Sequence, residues 1–342
     1  MKQNYTIPIF IPEKACPFRC IYCNQYSIAN KIQSPSVDEV KETIEKYLRT
    51  FPTHGIKRLG FFGGSFTGMP IEEQNQYLNV VSPYIDLNRI ESIMLSTRPD
   101  YISEEILDNL KRYKIETIEL GVQSLDDEVL IKSGRGHSAE DVKKSAALIL
   151  QKGFKLGLQM MIGLPGDSFE KSMQTAQGII DLGAHCTRIY PTLVIKDTVL
   201  ETIYKSGKYI PLSLEEAVEW CKHLMKLFDK HNVTILRMGL HPSEGLITGD
   251  SLIAGPFHIS FKELVLSALW KDIMEESLKD QKGEKLIIEV SSKSINAATG
   301  YKSVNKQNLL KRFNSVTFKI NNNLTDKEFN IDIFPNYPYP NS

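Results

Sequence analysis

The chain has 342 residues, of which 42% are hydrophobic and 24% charged, and its 41 Lys and Arg balance its 41 Asp and Glu. These values fit a globular protein with a sizeable core and about two domains, and they exclude attraction of nucleic acid by net charge alone. No run approaches the ~18 apolar residues that cross a bilayer, and the polar residues 1–6 are not typical of a signal peptide. We therefore expect a cytoplasmic protein with no membrane partner.

Strand-like and helix-like runs alternate over the first 240 residues. Strands are predicted at residues 5–11, 58–62, 92–96, 117–121, 155–161 and 186–193, and helices at 37–48, 71–84, 103–113, 138–152, 169–182 and 213–230. This alternation predicts an α/β fold with right-handed βαβ units, an open partial (β/α)6 barrel over residues 1–240. Because ligands bind at the carboxyl ends of such strands, residues that follow strands are the first candidates for a site.

The pattern changes after residue 240. An extended run at 233–239 leads into residues 241–281, which we predict to be a helical extension with a helix over 261–278. Residues 282–320 show the order strand, helix, loop, helix, strand, which predicts a small α+β domain. The Asn- and Pro-rich residues 321–342 are predicted to be a loose tail.

A cysteine cluster follows the first predicted strand. Cys16, Cys20 and Cys23 have the spacing C-x3-C-x2-C, and three thiolates this close can each bind one iron of a [4Fe–4S] cluster while the fourth iron stays open to a ligand. The alternative is a zinc site completed by a histidine or a distant cysteine, although zinc sites often have two C-x2-C pairs. Cys186 and Cys221 stand alone in the sequence. We predict that Cys186 is a buried strand residue and that Cys221 lies on the face of a helix.

This cysteine pattern, with Tyr22 before its last cysteine, resembles that of the radical S-adenosylmethionine (SAM) superfamily. Four further segments match the superfamily in order and in position after strands: FFGGSFT at 61–67, GVQS at 121–124, GRGH at 134–137 and IGLPG at 162–166. The resemblance implies a radical SAM barrel with a [4Fe–4S] cluster on the three cysteines. It also implies SAM contacts from Tyr22, Gly63, Gly64, Ser65, Thr67, Ser96, Gln123, Arg135 and Ile162.

The resemblance assigns roles to several of these residues. Gly63 and Gly64 would let backbone approach SAM and present carbonyls to its ammonium group, and Gln123 would bind the ribose. Arg135 would pair with the SAM carboxylate, for which a guanidinium fork is suited. The loop after Ile162 would lie on the adenine side.

A closer resemblance, to the radical SAM core of the catalytic subunit of Elongator, rests on the segments STRPD at 96–100, ELGVQS at 119–124 and RIYPTLVIKDT at 188–198. That family modifies the wobble uridine of tRNA. The resemblance implies an enzyme that cleaves SAM to a 5′-deoxyadenosyl radical, acts on an RNA base, and takes electrons from a donor such as flavodoxin or ferredoxin. The family has Glu where this chain has Ser96, so we expect a weaker or water-mediated ribose contact. No acetyl-CoA phosphate loop follows residue 240, so we expect the radical step without the acetyltransferase domain's reaction.

The α+β segment resembles a small KH-type RNA-binding module. Its loop, Gly300-Tyr301-Lys302-Ser303, matches the G-x-x-G loop of that module with Ser in place of the second Gly. Between residues 282 and 319, eight basic side chains stand against two acidic ones, a local charge of +6 that is typical of phosphate contacts. We expect RNA contacts from Gly300, Tyr301, Lys302 and Lys306. An ordinary α+β appendage with a solvated basic face is the alternative.

Two other functions remain open at this point. One is a radical SAM enzyme that acts on a small molecule, for example in tetrapyrrole or lipid-precursor metabolism. The other is a non-enzymatic RNA-binding protein whose cysteines hold zinc. Lys196, at the end of the sixth strand, is a weak catalytic candidate, while His241 and His258 are interpreted as loop residues that cap or pack.

Overall fold

The computed structural model describes residues 4–12, 20–24 and 34–335. Contacts within the described chain divide it into two compact units, Met1–Ala217 with Leu224–Ile259, and Val218–His223 with Ser260–Ser342. In the described ranges, no helix is both long and apolar enough to span a bilayer. Cys16, which the sequence predicts to be a metal ligand, lies outside the described residues.

The large unit is built on parallel strands. Its strands are β1 (Asn4–Ile11), β2 (Ile56–Gly63), β3 (Ser92–Thr97), β4 (Ile115–Gln123), β5 (Lys155–Ile162), β6 (Cys186–Pro191), β7 (Val194–Ile195), β8 (Thr234–Met238) and β9 (Leu252–Ala254). Among the described strands, seven form one sheet in the order β1-β2-β3-β4-β5-β6-β8, and every neighbouring pair is parallel. The six predicted strands are confirmed, and the extended run at 233–239 supplies the seventh.

The sheet is curled. The Arg188 guanidinium in β6 lies 4.8 Å from the centre of the Phe62 ring in β2, although β3, β4 and β5 separate these strands in the sheet. In a flat sheet, strands four positions apart would lie about 19 Å apart, because neighbours are spaced by about 4.8 Å. The contact therefore requires a partial barrel, with β1 and β8 at its open edges.

Helices connect the strands of the large unit. They are α1 (Val37–Thr50), α2 (Ile71–Asp86), α3 (Glu104–Leu110), α4 (Asp127–Lys132), α5 (Ala139–Gln151), α6 (Phe169–Asp181), α7 (Val199–Lys205), α8 (Leu214–Lys230) and α9 (Glu244–Thr248). The middle of α8, Val218–His223, groups with the small unit. Ser36, Ser138 and Ser213 begin α1, α5 and α8 with capping boxes, in which an acidic side chain three positions later bonds back to the serine N–H. These boxes satisfy backbone groups that a helix leaves unpaired at its start.

Residues 241–259 differ from the predicted helical extension. They carry the short helix α9 and the strand β9, which pairs antiparallel with β7. Leu193, Ile195 and Leu246 pack together in a buried cluster at this pair. Elements this short show no recognisable period in a sequence, so the pattern could not predict them.

The small unit contains a three-stranded sheet and short helices. Its elements are α10 (Phe261–Leu278), β10 (Gly283–Val290), α11 (Ile295–Thr299), α12 (Val304–Leu309), β11 (Phe313–Ile320) and β12 (Phe329–Phe334). β10 is the middle strand of this described sheet, parallel to β11 and antiparallel to β12. The strand–helix–loop–helix–strand order predicted for 282–320 is thus present.

One face of the small sheet is covered by α10. Trp270 and Met274 of this helix share a buried cluster with Leu286 and Ile288 of β10. The helix predicted over 261–278 therefore packs within the small unit and not in a separate extension. Burial of these side chains stabilises the unit by roughly 1.5–3 kcal/mol each relative to their exposed state.

Part of the predicted loose tail is the strand β12. Phe329, Ile331 and Ile333 alternate with polar residues, and all three pack against the cluster that α10 covers. A period of two places these side chains on one face of the sheet. The surrounding Asn and Pro residues hid this alternation in the sequence.

Candidate active site

A cavity of about 890 Å³ opens at the carboxyl ends of the barrel strands. It is lined by residues from the ends of the main-sheet strands, from α1 and from the segment that follows β8. Most of the predicted SAM and cluster residues meet in this lining: Cys20, Tyr22, Cys23, Gly63, Gly64, Ser65, Ser96, Gln123 and Arg135. The fold thus brings together residues that lie more than a hundred positions apart in the sequence.

Two of the predicted cluster ligands lie at one end of the cavity. Cys20 is buried and Cys23 is half-buried, and the Cys23 N–H donates to the Cys20 carbonyl oxygen at 3.0 Å. Tyr22 stands between them in sequence, and burial raises the pKa of its hydroxyl well above the ordinary range. The turn therefore presents two thiols and a neutral phenol to the cavity.

The two isolated cysteines lie elsewhere. Cys186 and Cys221 are buried, as predicted, and neither lines the cavity. Burial raises the pKa of Cys186 to about 12 and also raises that of Cys221. Both side chains therefore remain protonated thiols near neutral pH, which makes them poor metal ligands.

Gly63 and Gly64 form part of the cavity wall, and the neighbouring strand β1 explains why Gly63 has no side chain. Gly63 has φ +108°, and a Cβ there would lie 2.5 Å from the Ile11 carbonyl oxygen. The Gly64 N–H donates to that same oxygen at 2.6 Å. The sequence explained these glycines by approach to a ligand, whereas the structure shows that approach to β1 requires the first of them.

Gln123 ends β4 in a conformation that few non-glycine residues adopt. Its φ is +70°, and the register between β4 and β5 shifts at this point. The Gln123 Oε1 atom is buried without a hydrogen-bond partner in the described structure. Strained backbone and an unsatisfied buried acceptor on a cavity wall are typical of a ligand contact.

Arg135 links the cysteine turn to the end of β4. Its Nη1 atom donates to Cys20 Sγ at 3.3 Å, and its Nη2 atom donates to the Gly121 carbonyl oxygen at 2.5 Å. Arg98 is buried beneath it, donating to Asp100 at 2.8 Å and 2.9 Å and to the Arg135 carbonyl oxygen at 2.8 Å. The arginine predicted to bind the SAM carboxylate therefore contacts one of the predicted cluster ligands.

A buried ion pair forms the floor of the cavity. Arg188 donates from Nε to Glu119 Oε2 at 2.5 Å and from Nη2 to Oε1 at 3.0 Å. Gln159 Nε2 donates to the same carboxylate at 2.9 Å and to Ser96 Oγ at 3.1 Å. These bonds join β3, β4, β5 and β6, and they fix the orientation of the Ser96 hydroxyl.

Three predicted residues do not line the cavity. The Thr67 hydroxyl donates to the Tyr101 carbonyl oxygen at 2.7 Å, so it stabilises the turn after β2. The Ile162 side chain is buried in the core, and its carbonyl oxygen accepts a bond from the Thr192 N–H at 2.9 Å. Lys196, the weak catalytic candidate, is exposed and lies beyond β7. The structure offers no support for direct roles of these side chains in the cavity.

A second group of lining residues was not predicted to belong to the site, and one of them, His241, was interpreted as a loop residue that caps or packs. Beyond Arg188, these are Lys46, Tyr190, Arg237, His241, Ser243 and Glu244. Arg188 and Tyr190 are alternate residues of β6, and Arg237 lies at the end of β8. Their positions on these strands are the sequence feature that could have identified them as lining residues. Burial raises the pKa of Tyr190, which therefore stays protonated near neutral pH.

The predicted RNA-binding loop lies in the small unit and is closely tied to it. Gly300 has φ +85°, and a Cβ there would lie 2.8 Å from the Asn305 backbone nitrogen. Asn305 Nδ2 donates to the Ser267 carbonyl oxygen at 2.9 Å, and the Tyr301 N–H donates to Ser267 Oγ at 2.8 Å. The glycine is thus required by the packing of Asn305 within the loop.

The two lysines predicted to contact RNA differ in exposure and position, with Lys302 in the loop and Lys306 on α12. Lys302 is exposed with its Nζ atom 5.6 Å from the centre of the Tyr301 ring, and Lys306 is half-buried. Ser303, in the place of the second glycine, has φ +62°. The serine therefore adopts the left-handed conformation that the glycine would favour.

The cavity residues fit a cluster and SAM. Cys20 and Cys23 provide soft sulfur ligands, and Gln123 provides a buried acceptor without a partner. The Gly121 carbonyl oxygen and the Arg135 guanidinium add polar groups beside the thiols. The residue set therefore matches the polar groups of an amino-acid nucleoside next to an iron–sulfur site.

Comparison with known families agrees with this geometry. Residues 11–177 match the model of the Radical SAM superfamily, and residues 184–271 match that of the Radical SAM C-terminal domain. A solved structure of Elp3 from Methanocaldococcus infernus superimposes with a TM-score of 0.63 at 23% identity, covering 82% of this chain and 64% of that chain. This structural likeness shows the fold.

Curated relatives share parts of the sequence. An uncharacterised protein of Methanocaldococcus jannaschii is 31% identical over 221 residues, 61% of this chain and 67% of that protein. A tRNA uridine(34) acetyltransferase of Methanocaldococcus infernus is 33% identical over 161 residues, 46% of this chain and 29% of that protein. Elongator complex protein 3 of Saccharomyces cerevisiae is 29% identical over 196 residues, 51% of this chain and 35% of that protein. The chain thus spans about a third of the length of the last two relatives.

The two family matches together cover most of the barrel and the segment after it. The prediction of an enzyme is thereby confirmed over that of a non-enzymatic zinc protein. This chain belongs to the radical SAM superfamily and is an enzyme of that superfamily.

Proposed function

We propose that this enzyme carries a [4Fe–4S] cluster on Cys16, Cys20 and Cys23, binds SAM in the adjoining cavity, and modifies a base of RNA, with tRNA as the RNA. The observation that carries the proposal is the 33% identity to a tRNA uridine(34) acetyltransferase over 161 residues. The proposal concerns the radical step. A low-potential donor such as flavodoxin or ferredoxin would supply the electron.

Some cavity residues would bind the cluster and SAM, and others would orient them. A bound cluster and SAM supply one-electron chemistry that removes a hydrogen atom from the substrate. Gln123 would accept a hydrogen bond from the SAM ribose through its unpartnered Oε1 atom. Arg135 would orient the SAM carboxylate while its Nη1 atom contacts Cys20. The buried pair of Glu119 and Arg188 would keep the floor rigid beneath both ligands.

The size of the cavity supports a substrate group beside the cofactor. Ligand pockets measure roughly 300–1,000 Å³, and this cavity of about 890 Å³ is near the upper limit. Enzymes that act on a base take it out of the stack and into a pocket, which needs space for one nucleotide. The volume favours SAM together with one flipped nucleotide.

The small unit supports contact with the RNA backbone. Lys285, Lys302, Lys311 and Lys319 are exposed in this unit, and none of them forms a salt bridge with a carboxylate of the described chain. Basic side chains that have no carboxylate partner can bind phosphates, and this binding releases counterions from the nucleic acid. The loop resembles that of a KH-type module in its sequence. Substitution of the exposed lysines tests directly whether this part of the chain binds RNA.

The radical step is tested by anaerobic reconstitution, reduction with dithionite in the presence of SAM, and quantification of 5′-deoxyadenosine. We expect about four irons per chain from a [4Fe–4S] cluster, and loss of both cluster and product in Cys20→Ala. Cys221→Ala is the matched control, because that buried thiol lies outside the cavity. Bound zinc with no deoxyadenosine in the wild type would refute the cluster.

The RNA substrate is tested separately. We expect tRNA to raise the yield of 5′-deoxyadenosine and to gain a mass change in one nucleoside. A product yield that ignores tRNA but responds to a small metabolite would favour the small-molecule alternative.

The basic loop has its own test. Lys302→Glu with Lys306→Glu should weaken tRNA binding and reduce its salt dependence, because two phosphate contacts are lost. Lys111→Glu with Lys114→Glu makes the same charge change at exposed positions of the large unit. If the two double variants bind tRNA equally well, the loop does not contact the RNA.

A further inference from the structure

The cavity lining has a second set of polar residues, which the superfamily motifs do not reach and which we call its β8 end. The set consists of Tyr190 on β6, Arg237 at the end of β8, and the loop that carries His241, Ser243 and Glu244. The cysteine turn follows β1, Gln123 ends β4 and Arg135 follows α4. A cavity with two polar ends can hold two polar ligands.

Most cations of the cavity already have a partner or a role. Among its described lining residues, Arg98 pairs with Asp100 and Arg188 pairs with Glu119. Arg135 contacts the cysteine turn. Two cations remain, Lys46 on α1 and Arg237 on β8, and they form no salt bridge with any described carboxylate.

Arg237 lies near two polar side chains, His241 and Tyr190, that cannot neutralise it. Partial burial and the Arg237 charge both lower the pKa of His241, which favours its neutral imidazole form. Burial keeps Tyr190 protonated, and Arg237 opposes that rise of its pKa, which places the guanidinium near the phenol as well. Arg237 is half-buried, so water screens its charge only in part. The guanidinium forms no salt bridge with a carboxylate of the described chain, and Glu244 is the acidic residue in the same part of the lining.

Ser243 adds a hydrogen-bonding group at the same end. Its Oγ atom is buried and has no hydrogen-bond partner in the described structure. Buried hydroxyls without a partner are costly, by about 1–3 kcal/mol, and are commonly satisfied by a ligand. A guanidinium, a serine hydroxyl and a neutral imidazole together bind a tetrahedral anion well.

We propose that Arg237, Ser243 and His241 form a subsite for a phosphate group of the substrate. The inference rests on the proposed function and deepens it: the substrate nucleotide would be held by its phosphate at this end while its base faces the SAM end. The phosphate could belong to a phosphodiester of RNA or to a free nucleotide. Both share the chemistry, and the experiment separates them.

The test measures binding to the reconstituted enzyme with SAM present, under anaerobic conditions. The probes are uridine, uridine 5′-monophosphate and a tRNA anticodon hairpin. We expect the monophosphate to bind more tightly than the nucleoside. Arg237→Gln should weaken binding of the monophosphate by about ten- to hundred-fold, the range expected for the loss of a charged hydrogen bond. The affinity for uridine should change less than about twofold. Ser243→Ala should give a smaller loss with the same selectivity.

Arg112→Gln is the matched control, because Arg112 is exposed after α3 and lies outside the cavity lining. SAM affinity, measured in each variant, shows that the barrel is intact. If Arg237→Gln weakens uridine and its monophosphate equally, or neither, the phosphate subsite is refuted.

The hairpin separates this inference from the RNA proposal. Selective loss of the monophosphate in Arg237→Gln, with no hairpin binding by the wild type, keeps the subsite for a free nucleotide and refutes RNA as the substrate. Tight hairpin binding that Arg237→Gln leaves unchanged, with no preference for the monophosphate, refutes the subsite and keeps the RNA proposal. Selective loss with both probes supports the two together.

Discussion

Replacing Arg188 with methionine would leave the Glu119 carboxylate buried on the cavity floor without its cation. Glu119 is 1% exposed and receives two bonds from the guanidinium, at 2.5 Å and 3.0 Å. Methionine keeps much of the length of arginine, so the change removes charge and hydrogen bonds more than volume. The carboxylate would then lie in a medium that solvates a charge poorly, without the guanidinium that compensates it.

The size of the effect follows from the contacts that remain. Breaking a buried ion pair by removing one partner costs about 3–5 kcal/mol. Gln159 Nε2 still donates to Glu119 at 2.9 Å, which favours the lower end of that range. We therefore expect Arg188→Met to lower the free energy of unfolding by about 3 kcal/mol.

Urea unfolding followed by far-UV circular dichroism measures this loss. The double variant Arg188→Met with Glu119→Leu should recover most of it, because apolar replacement of both partners of a buried pair is often neutral. Lys41→Met breaks a surface pair with Asp38, whose side chains are 52% and 85% exposed, and should cost less than about 1 kcal/mol. The reasoning fails if Arg188→Met costs no more than Lys41→Met, or if the double variant is as unstable as the single one.

Three further predictions concern other parts of the chain. Gly63→Ala should destabilise by at least about 2 kcal/mol in urea unfolding, because its Cβ would lie 2.5 Å from the Ile11 oxygen at a positive φ. Burial raises the pKa of Asp167 to about 6. The unfolded chain, with a pKa of about 3.9, releases this proton first, so stability should fall from about pH 4 to pH 6, and Asp167→Asn should flatten that slope. Asn305→Ala should cost about 2 kcal/mol, seen by tryptophan fluorescence, because the Ser267 carbonyl loses its buried donor.

Each of these has a matched comparison. Gly153→Ala also places a side chain at positive φ, +82°, but nothing lies within 4 Å of its Cβ, so it should cost only about 1 kcal/mol. For the pH series, an identical slope in wild type and Asp167→Asn contradicts the raised pKa. Asn308→Ala removes an exposed bond to Lys311 and should be nearly neutral, and a loss equal to that of Asn305→Ala would contradict the role of burial.

The barrel could be predicted because its signals are repeated and local. Each strand has a run of apolar residues, and serines such as Ser36 and Ser138 mark helix starts with an acidic residue three positions on. Gln123 and Arg135 could be placed in the lining because each belongs to a short motif, one at the end of β4 and the other after α4. These features depend on neighbouring residues, and a single sequence displays them directly.

Other features depend on contacts between distant segments. Nothing in the sequence shows that Glu119 meets Arg188, or that Arg237 enters the cavity, because curvature of the sheet brings these side chains inward. The reason for Gly63 was also hidden, since the carbonyl that excludes its side chain belongs to Ile11. Thr67 belongs to a motif, yet its hydroxyl stabilises a turn outside the cavity lining.

The buried pair also constrains the order in which the chain can be assembled during translation. Glu119 and Arg188 are 69 residues apart. At a synthesis rate of about 5–20 residues per second, β6 leaves the ribosome roughly 3–14 seconds after β4. A nascent sheet that closed around Glu119 within this interval would enclose a carboxylate without its counter-ion. The ribosome-bound chain should therefore keep the centre of the barrel open until Arg188 has emerged.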